Sequence, residues 1–166
     1  SAVSFALPML LTPHVLVGTA VASVVPNPLI AVPLSIGLHF LGDMVPHWDF
    51  YTNTTREQRS KGWRVIGVMG DLGLAVATGV FFTCYFAWVA KNPTLSLNVF
   101  LCGIGSVLPD ALIAPYVYRD NGVNKISDFV HTIQSKAQFQ ARLPWGVITQ
   151  IIVCLFSFLL IANSTM

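Results

Sequence analysis

Apolar residues in this chain run in five long stretches, not at the alternating positions of a half-buried strand. They cover roughly residues 5–25, 29–45, 65–90, 95–118 and 144–162. Each is close to the ~20 residues that carry a helix across a bilayer. Prolines mark the joints. Pro26-Asn27-Pro28 forms a tight turn after the first stretch, Pro46 follows the second, and Lys91-Asn92-Pro93 closes the third. Pro144 is placed as an early residue of the fifth helix. Pro8 and Pro13 make the start of the first stretch kinked or irregular.

Two polar segments separate these stretches, residues 49–64 and 119–142. Within the second, Ile126, Val130, Ile133 and Ala137 recur at helical spacing with polar residues between them. That pattern predicts an amphipathic helix over about 122–140, lying on the membrane surface or packed as a short soluble helix on the bundle. The expected fold is all-α. It is a single membrane domain over residues 1–166, with about five transmembrane helices and a surface amphipathic helix between the fourth and fifth.

Composition agrees with the pattern. Charged residues make up 10% of the chain and apolar residues 54%, against about 25% charged in a soluble domain. A surface facing water could not be covered with so few. A net charge of +2 with no basic run gives no basis for nucleic-acid binding. Cys84, Cys102 and Cys154 all fall in apolar stretches and read as small buried hydrophobes. Residues 1–11 hold no basic residue, so the first apolar stretch is expected to be retained and not cleaved as a secretory signal.

Charge also predicts orientation. Five crossings put both polar segments on one side, with Arg56, Arg59, Lys61, Arg64, Arg119, Lys125, Lys136 and Arg142; only Lys91 lies opposite. The positive-inside rule makes that side cytoplasmic, the N-terminus cytoplasmic and the C-terminus external. Trp48, Trp63, Trp88 and Trp145 fall near helix ends, where aromatic belts form. Gly67, Gly70, Gly73 and Gly79 on the third stretch suggest close helix packing.

Ionisable residues inside a membrane are costly, and each asks for a reason. His14, His39, Asp43, Asp71 and Asp110 lie in four of the apolar stretches, with His47 and Asp49 just beyond the second. At ~1.5 Å per residue, Asp71 is roughly 10 Å, His14 and Asp110 roughly 13 Å, and His39 roughly 15 Å from the same membrane face. If these side chains face inward they form one polar pocket open to the cytoplasm. His39 and Asp43 are four residues apart and share a helix face. Histidine with carboxylate at this spacing suits a divalent metal such as zinc, and it equally suits a simple hydrogen-bonded pair. Asp71 could instead pair with Arg64 or with nearby Thr and Ser hydroxyls, Asp110 could serve only to satisfy a helix broken at Pro109, and His131 could pair with Asp128. Gly42 to His47 echoes Gly105 to Asp110. Both read Gly, a few mostly apolar residues, Pro, then a metal-competent side chain, as if each proline broke its helix and aimed the next residue into the bundle.

Thr12-Pro13-His14, the following Gly18, and Gly-x-x-x-Pro-Asp from Gly105 to Asp110 resemble the predicted membrane-bound metal-dependent hydrolases. These are small multi-helix proteins of the bacterial inner membrane, related in motif to zinc-dependent phospholipases C. The resemblance covers the first half of the chain and one later motif. The family's late His-rich stretch is represented by His131-Thr132. It implies a metal-activated water, with His14, His39, Asp43, His47, Asp49 and Asp110 as candidate ligands.

Three functions follow as expectations. The first is a zinc- or other metal-dependent hydrolase acting on a lipid-like ester or phosphoester at the cytoplasmic leaflet, with Asp43 or Asp71 as general base. The second is a non-catalytic accessory subunit packed against a larger membrane complex, with His14 and His39 structural or ligating a haem or pigment. The third is a proton or ion pathway through His14, Asp71 and Asp110. Short of that choice, the lipid bilayer is the partner the sequence demands.

Overall fold

The computed structural model describes residues 10–50, 54–59, 61–114, 124–139 and 141–164. Their secondary structure is helical: α1 (Leu11–Val24), α2 (Pro28–Met44), the single turn α3 (Arg56–Arg59), α4 (Trp63–Cys84), α5 (Pro93–Ile113), α6 (Lys125–Ala137) and α7 (Trp145–Ser164). A π-helical turn, Tyr85–Val89, continues α4. Three of these helices, spanning Trp63–Val89, Pro93–Ile113 and Trp145–Ser164, are long and apolar enough to cross a membrane. The apolar helices α1 and α2 are shorter, at 14 and 17 residues. The expected outer ends of the first and fourth stretches, residues 5–9 and 115–118, lie outside the described residues.

The helix starts follow local chemistry. Asn27, Asn92 and Asn124 each accept a hydrogen bond from a backbone N–H in the first turn of α2, α5 and α6. Proline occupies the first position of both α2 and α5, where its missing N–H costs nothing. At Pro109 the expected break does not occur, because α5 continues through it to Ile113. Only α2 stops ahead of its proline, at Met44.

The bundle is apolar outside, and inside it holds many polar side chains beside an apolar cluster around Phe82, Phe86, Val99 and Ile161. His14, Thr19, Ser35, His39, Asp43, Asn98, Ser106, Asp110 and Gln134 are buried. Leu29, Ile66, Leu74, Val80, Phe81, Phe100, Ile152 and Phe156 are exposed. A water-soluble fold does not expose so many large apolar side chains while burying ionisable ones; hydrocarbon as the surrounding solvent accounts for this one.

Helix α1 packs against α2, α4, α5 and α7. Close approach to α5 is possible because residue 18 is glycine. A Cβ there would lie 2.6 Å from the Cys102 carbonyl oxygen and 2.9 Å from Ser106 Cβ. Asn98 of α5 donates to the carbonyls of Ala22 and Val25, at 3.1 and 2.8 Å, and so satisfies the end of α1 from across the interface. The glycines of α4 do not act together. Gly67 lies beneath the Phe50 ring and Gly79 faces Val15, but a side chain at Gly70 or Gly73 would meet open space.

Several contacts show which helix ends lie together. Asp71, two turns into α4, binds the start of α1. Gly146 of α7 packs against the backbone of His47 and Trp48, just past α2. The chain after α6 pairs with the same stretch: Phe139 N–H donates to Asp43 O, His47 N–H to Phe139 O and Ala141 N–H to His47 O. Thus the starts of α1, α4 and α7 meet the end of α2 at the end of the bundle carrying the basic segments.

Helix α6 is amphipathic as expected, and part of its apolar stripe points away from the bundle, with Val130 and Ala137 half-buried. Ile126, Phe129 and Ile133 are exposed, whereas Ser127 and Gln134 are buried against α2 and α5. The Ser127 hydroxyl donates to the Leu112 carbonyl. An outward apolar face suits a helix lying at the membrane surface.

Candidate metal centre

The centre is assembled from α1, α2, α5 and α6. One turn of α2 places His39 and Asp43 on the same buried face. His14 approaches from α1 and Asp110 from α5. All four are nearly or wholly inaccessible to solvent. His14 Nε2 is 3.3 Å from Asp43 Oδ1, and His39 Nε2 is 3.6 Å from Asp43 Oδ2 and 3.3 Å from Asp110 Oδ1. The two imidazole rings lie 4.2 Å apart between centroids. One ligand atom from each of His14, His39 and Asp110 falls within 4.8 Å of the others. These side chains could hold a metal ion.

The protonation pattern is set by the backbone. His39 Nδ1 lies 2.8 Å from the Ser106 carbonyl, to which only an N–H can bond. Its Nε2 therefore presents a lone pair to the two carboxylates whenever the ring is neutral. His47 repeats the device, with Nδ1 donating to the Val45 carbonyl at 2.9 Å. Burial pushes the His47 imidazole below its usual pKa, against the raising effects of the Val45 carbonyl and Asp43. Its Nε2 is buried without a hydrogen-bond partner. An imidazole held by one nitrogen, with the other left free, is the usual arrangement of a metal-ligating histidine.

Gln134 of α6 was not legible as part of this cluster. Its Nε2 donates to Asp110 Oδ1 at 2.6 Å and to Asp43 Oδ2 at 2.8 Å, and lies 3.1 Å from His39 Nε2. Its Oε1, like Asp110 Oδ2, is buried without a hydrogen-bond partner. Leaving such an atom unsatisfied costs about 1–3 kcal/mol.

A geometric test of fit is available. Ligands 2.0–2.2 Å from a tetrahedral ion are separated from one another by roughly 3.3–3.6 Å. The His39–Asp110 separation of 3.3 Å falls within that range, as do those of His14 and His39 to the two different oxygens of Asp43, while the ligand atoms of His14, His39 and Asp110 all lie within 4.8 Å of one another. The donor chemistry, imidazole nitrogen with carboxylate oxygen, is that of zinc and related divalent ions. Two carboxylates sharing one buried site favour positive charge beside them, which protonated histidines or a dication would supply.

The remaining sequence candidates sit elsewhere or at the margin. Asp71 is turned to the start of α1, where its carboxylate accepts from Leu11 N–H at 2.6 Å, Thr12 N–H at 3.3 Å and Thr12 Oγ1 at 2.7 Å. A threonine hydroxyl is thus its partner, as one sequence expectation had it. Asp49 is buried in the stretch after α2.

No family model, no curated protein and no solved structure matches this chain. What stands is a membrane helical protein whose buried His14, His39 and Asp110 could hold a metal ion.

Proposed function

We propose that this chain is a membrane-embedded, metal-dependent hydrolase acting on the ester or phosphoester bond of a lipid. The observation that carries the reading is the set of His14–Asp43, His39–Asp43 and His39–Asp110 separations of 3.3, 3.6 and 3.3 Å. Three separate helices supply those residues, at a place where polar groups are expensive. A purely structural cluster needs no tetrahedral spacing and no histidine nitrogen left free.

In this reading His14, His39, Asp43 and Asp110 hold the cation, with His47 and Asp49 beside them. Bound there, a zinc-like ion supplies Lewis acidity and lowers the pKa of water toward ~7. Asp43, held between His14 and His39, is the carboxylate placed to take the proton of the attacking water. The water oxygen bonds to the acyl carbon or phosphorus, the ester bond breaks, and the proton passes to the departing oxygen. Asp71 has no part in this, because its oxygens are committed to α1.

A cleft of about 280 Å³ between α1, α4 and α5 favours a substrate with an acyl chain. Leu11, Val15, Leu72, Val76, Ile104 and Val107 are among its lining residues. Leu11 and Val15 lie within a turn of His14, and Val107 within a turn of Asp110. The cleft therefore follows the next face of the helices that carry the site.

Elemental analysis of detergent-purified protein tests the reading, together with hydrolysis of phospholipid in mixed micelles. About one zinc-like ion per chain is expected, with hydrolysis abolished by a chelator and by His39→Ala. Metal-free protein, or hydrolysis unaffected by His39→Ala, would contradict it.

A further inference from the structure

Resting on the metal-centre reading, we propose that Gln134 is itself an oxygen ligand of the cation, and that metal binding thereby fastens α6 over the centre. The carboxamide already lies against three candidate ligand atoms, at 2.6, 2.8 and 3.1 Å. Its NH2 group has two protons for these three acceptors. It bridges the two carboxylates, while Oε1 is buried without a hydrogen-bond partner on the other side.

A cation entering among Asp43, Asp110 and His39 reverses the preference. It repels the NH2 group and attracts the carbonyl oxygen. A half-turn about the last side-chain bond exchanges the two ends of the amide without moving the helix. Oε1 then faces the ion, and the site gains a neutral ligand that leaves the balance of two carboxylates against one dication intact.

The placement of α6 gives this consequence. Ser127 and Gln134 are the buried residues described for this helix; Ile126, Phe129 and Ile133 are exposed, and Val130 and Ala137 are half-buried. The fully buried contacts of α6 with the bundle are therefore polar, and those of Gln134 reach the metal centre. Gln134 is fully buried, so substrate or ion reaching the cluster from this side must lift α6. Bound metal closes it.

The test uses full-length protein in detergent, loaded with zinc or cobalt(II), comparing wild type with Gln134→Leu and Gln134→Glu. Competition against a chelator is expected to show affinity weakened roughly 10–100-fold in Gln134→Leu and kept or strengthened in Gln134→Glu. The cobalt(II) visible bands should change in both variants. Zinc should slow amide exchange in α6 of the wild type but not of Gln134→Leu. Equal or tighter binding by Gln134→Leu would overturn the proposal, since the amide would then be a competitor for the site. If Gln134→Leu does not fold, a cobalt(II) spectrum unchanged in Gln134→Glu would overturn it equally. A wild type that binds no metal removes the centre and this inference together; metal-binding wild type with indifferent variants removes the inference alone.

Discussion

Thr12 and Asp71, 59 residues apart in sequence, share a hydrogen bond of 2.7 Å from the threonine hydroxyl to the carboxylate. The same carboxylate accepts the Leu11 N–H at 2.6 Å. It thus caps α1 from another helix, satisfying donors that α1 cannot satisfy itself. Asp71→Ala is expected to cost about 0.5–2 kcal/mol, the usual range for a lost cap. Thermal unfolding in detergent measures this. Metal content should be unchanged, because Asp71 does not touch the His–Asp cluster. Loss of metal without loss of stability would instead make Asp71 a ligand.

Gly18 controls how closely α1 can approach α5. Gly18→Val brings a Cβ to 2.6 Å from the Cys102 carbonyl oxygen, which is backbone and cannot swing aside. The expected loss is about 1–3 kcal/mol, with weaker metal binding because His14 is displaced from α2 and α5. Gly70→Ala is the control. Nothing lies within 4 Å of its added methyl, and unfolding should shift by no more than about 0.5 kcal/mol.

Orientation is tested by labelling. Glu57 and Lys61 are exposed beside the end of the bundle that carries the His–Asp cluster, and Lys91 is exposed at the opposite end of α4. In a variant lacking the three native cysteines, Lys91→Cys should react with a membrane-impermeant thiol reagent in intact cells. Glu57→Cys should react only after the cells are opened. The reverse pattern would place the cluster on the external side.

Much of the site was legible because its signals are local or scale with depth. The His39–Asp43 spacing requires only helical geometry. The common depth of His14, His39 and Asp110 requires only the rise per residue, and those residues do meet. Asp71 shared that depth but not that partner. Depth says how far along a helix a side chain sits, not which face it presents, and Asp71 faces the start of α1. Gln134 was missed because a lone glutamine on an amphipathic helix carries no metal signature. Its signal was the polar face itself: Ser127, His131, Gln134 and Gln138 recur at helical spacing, opposite the stripe of Ile126 and Ile133. The apolar stripe predicted a helix at the membrane surface or packed on the bundle; the exposure of Ile126, Phe129 and Ile133 agrees with the first, and the polar face that meets the bundle is what carries Gln134. Pro109 was read as a break, but a proline in a buried helix held by α1 and α2 can be carried through.

The central claim is that a divalent cation sits among His14, His39, Asp43 and Asp110. Anomalous diffraction at the zinc edge, from crystals of zinc-equilibrated protein, tests it most directly. The account predicts one strong peak about 2.0–2.2 Å from His39 Nε2 and from an oxygen of Asp110. A map with no peak there, and Gln134 Nε2 still bridging the two carboxylates, would contradict it.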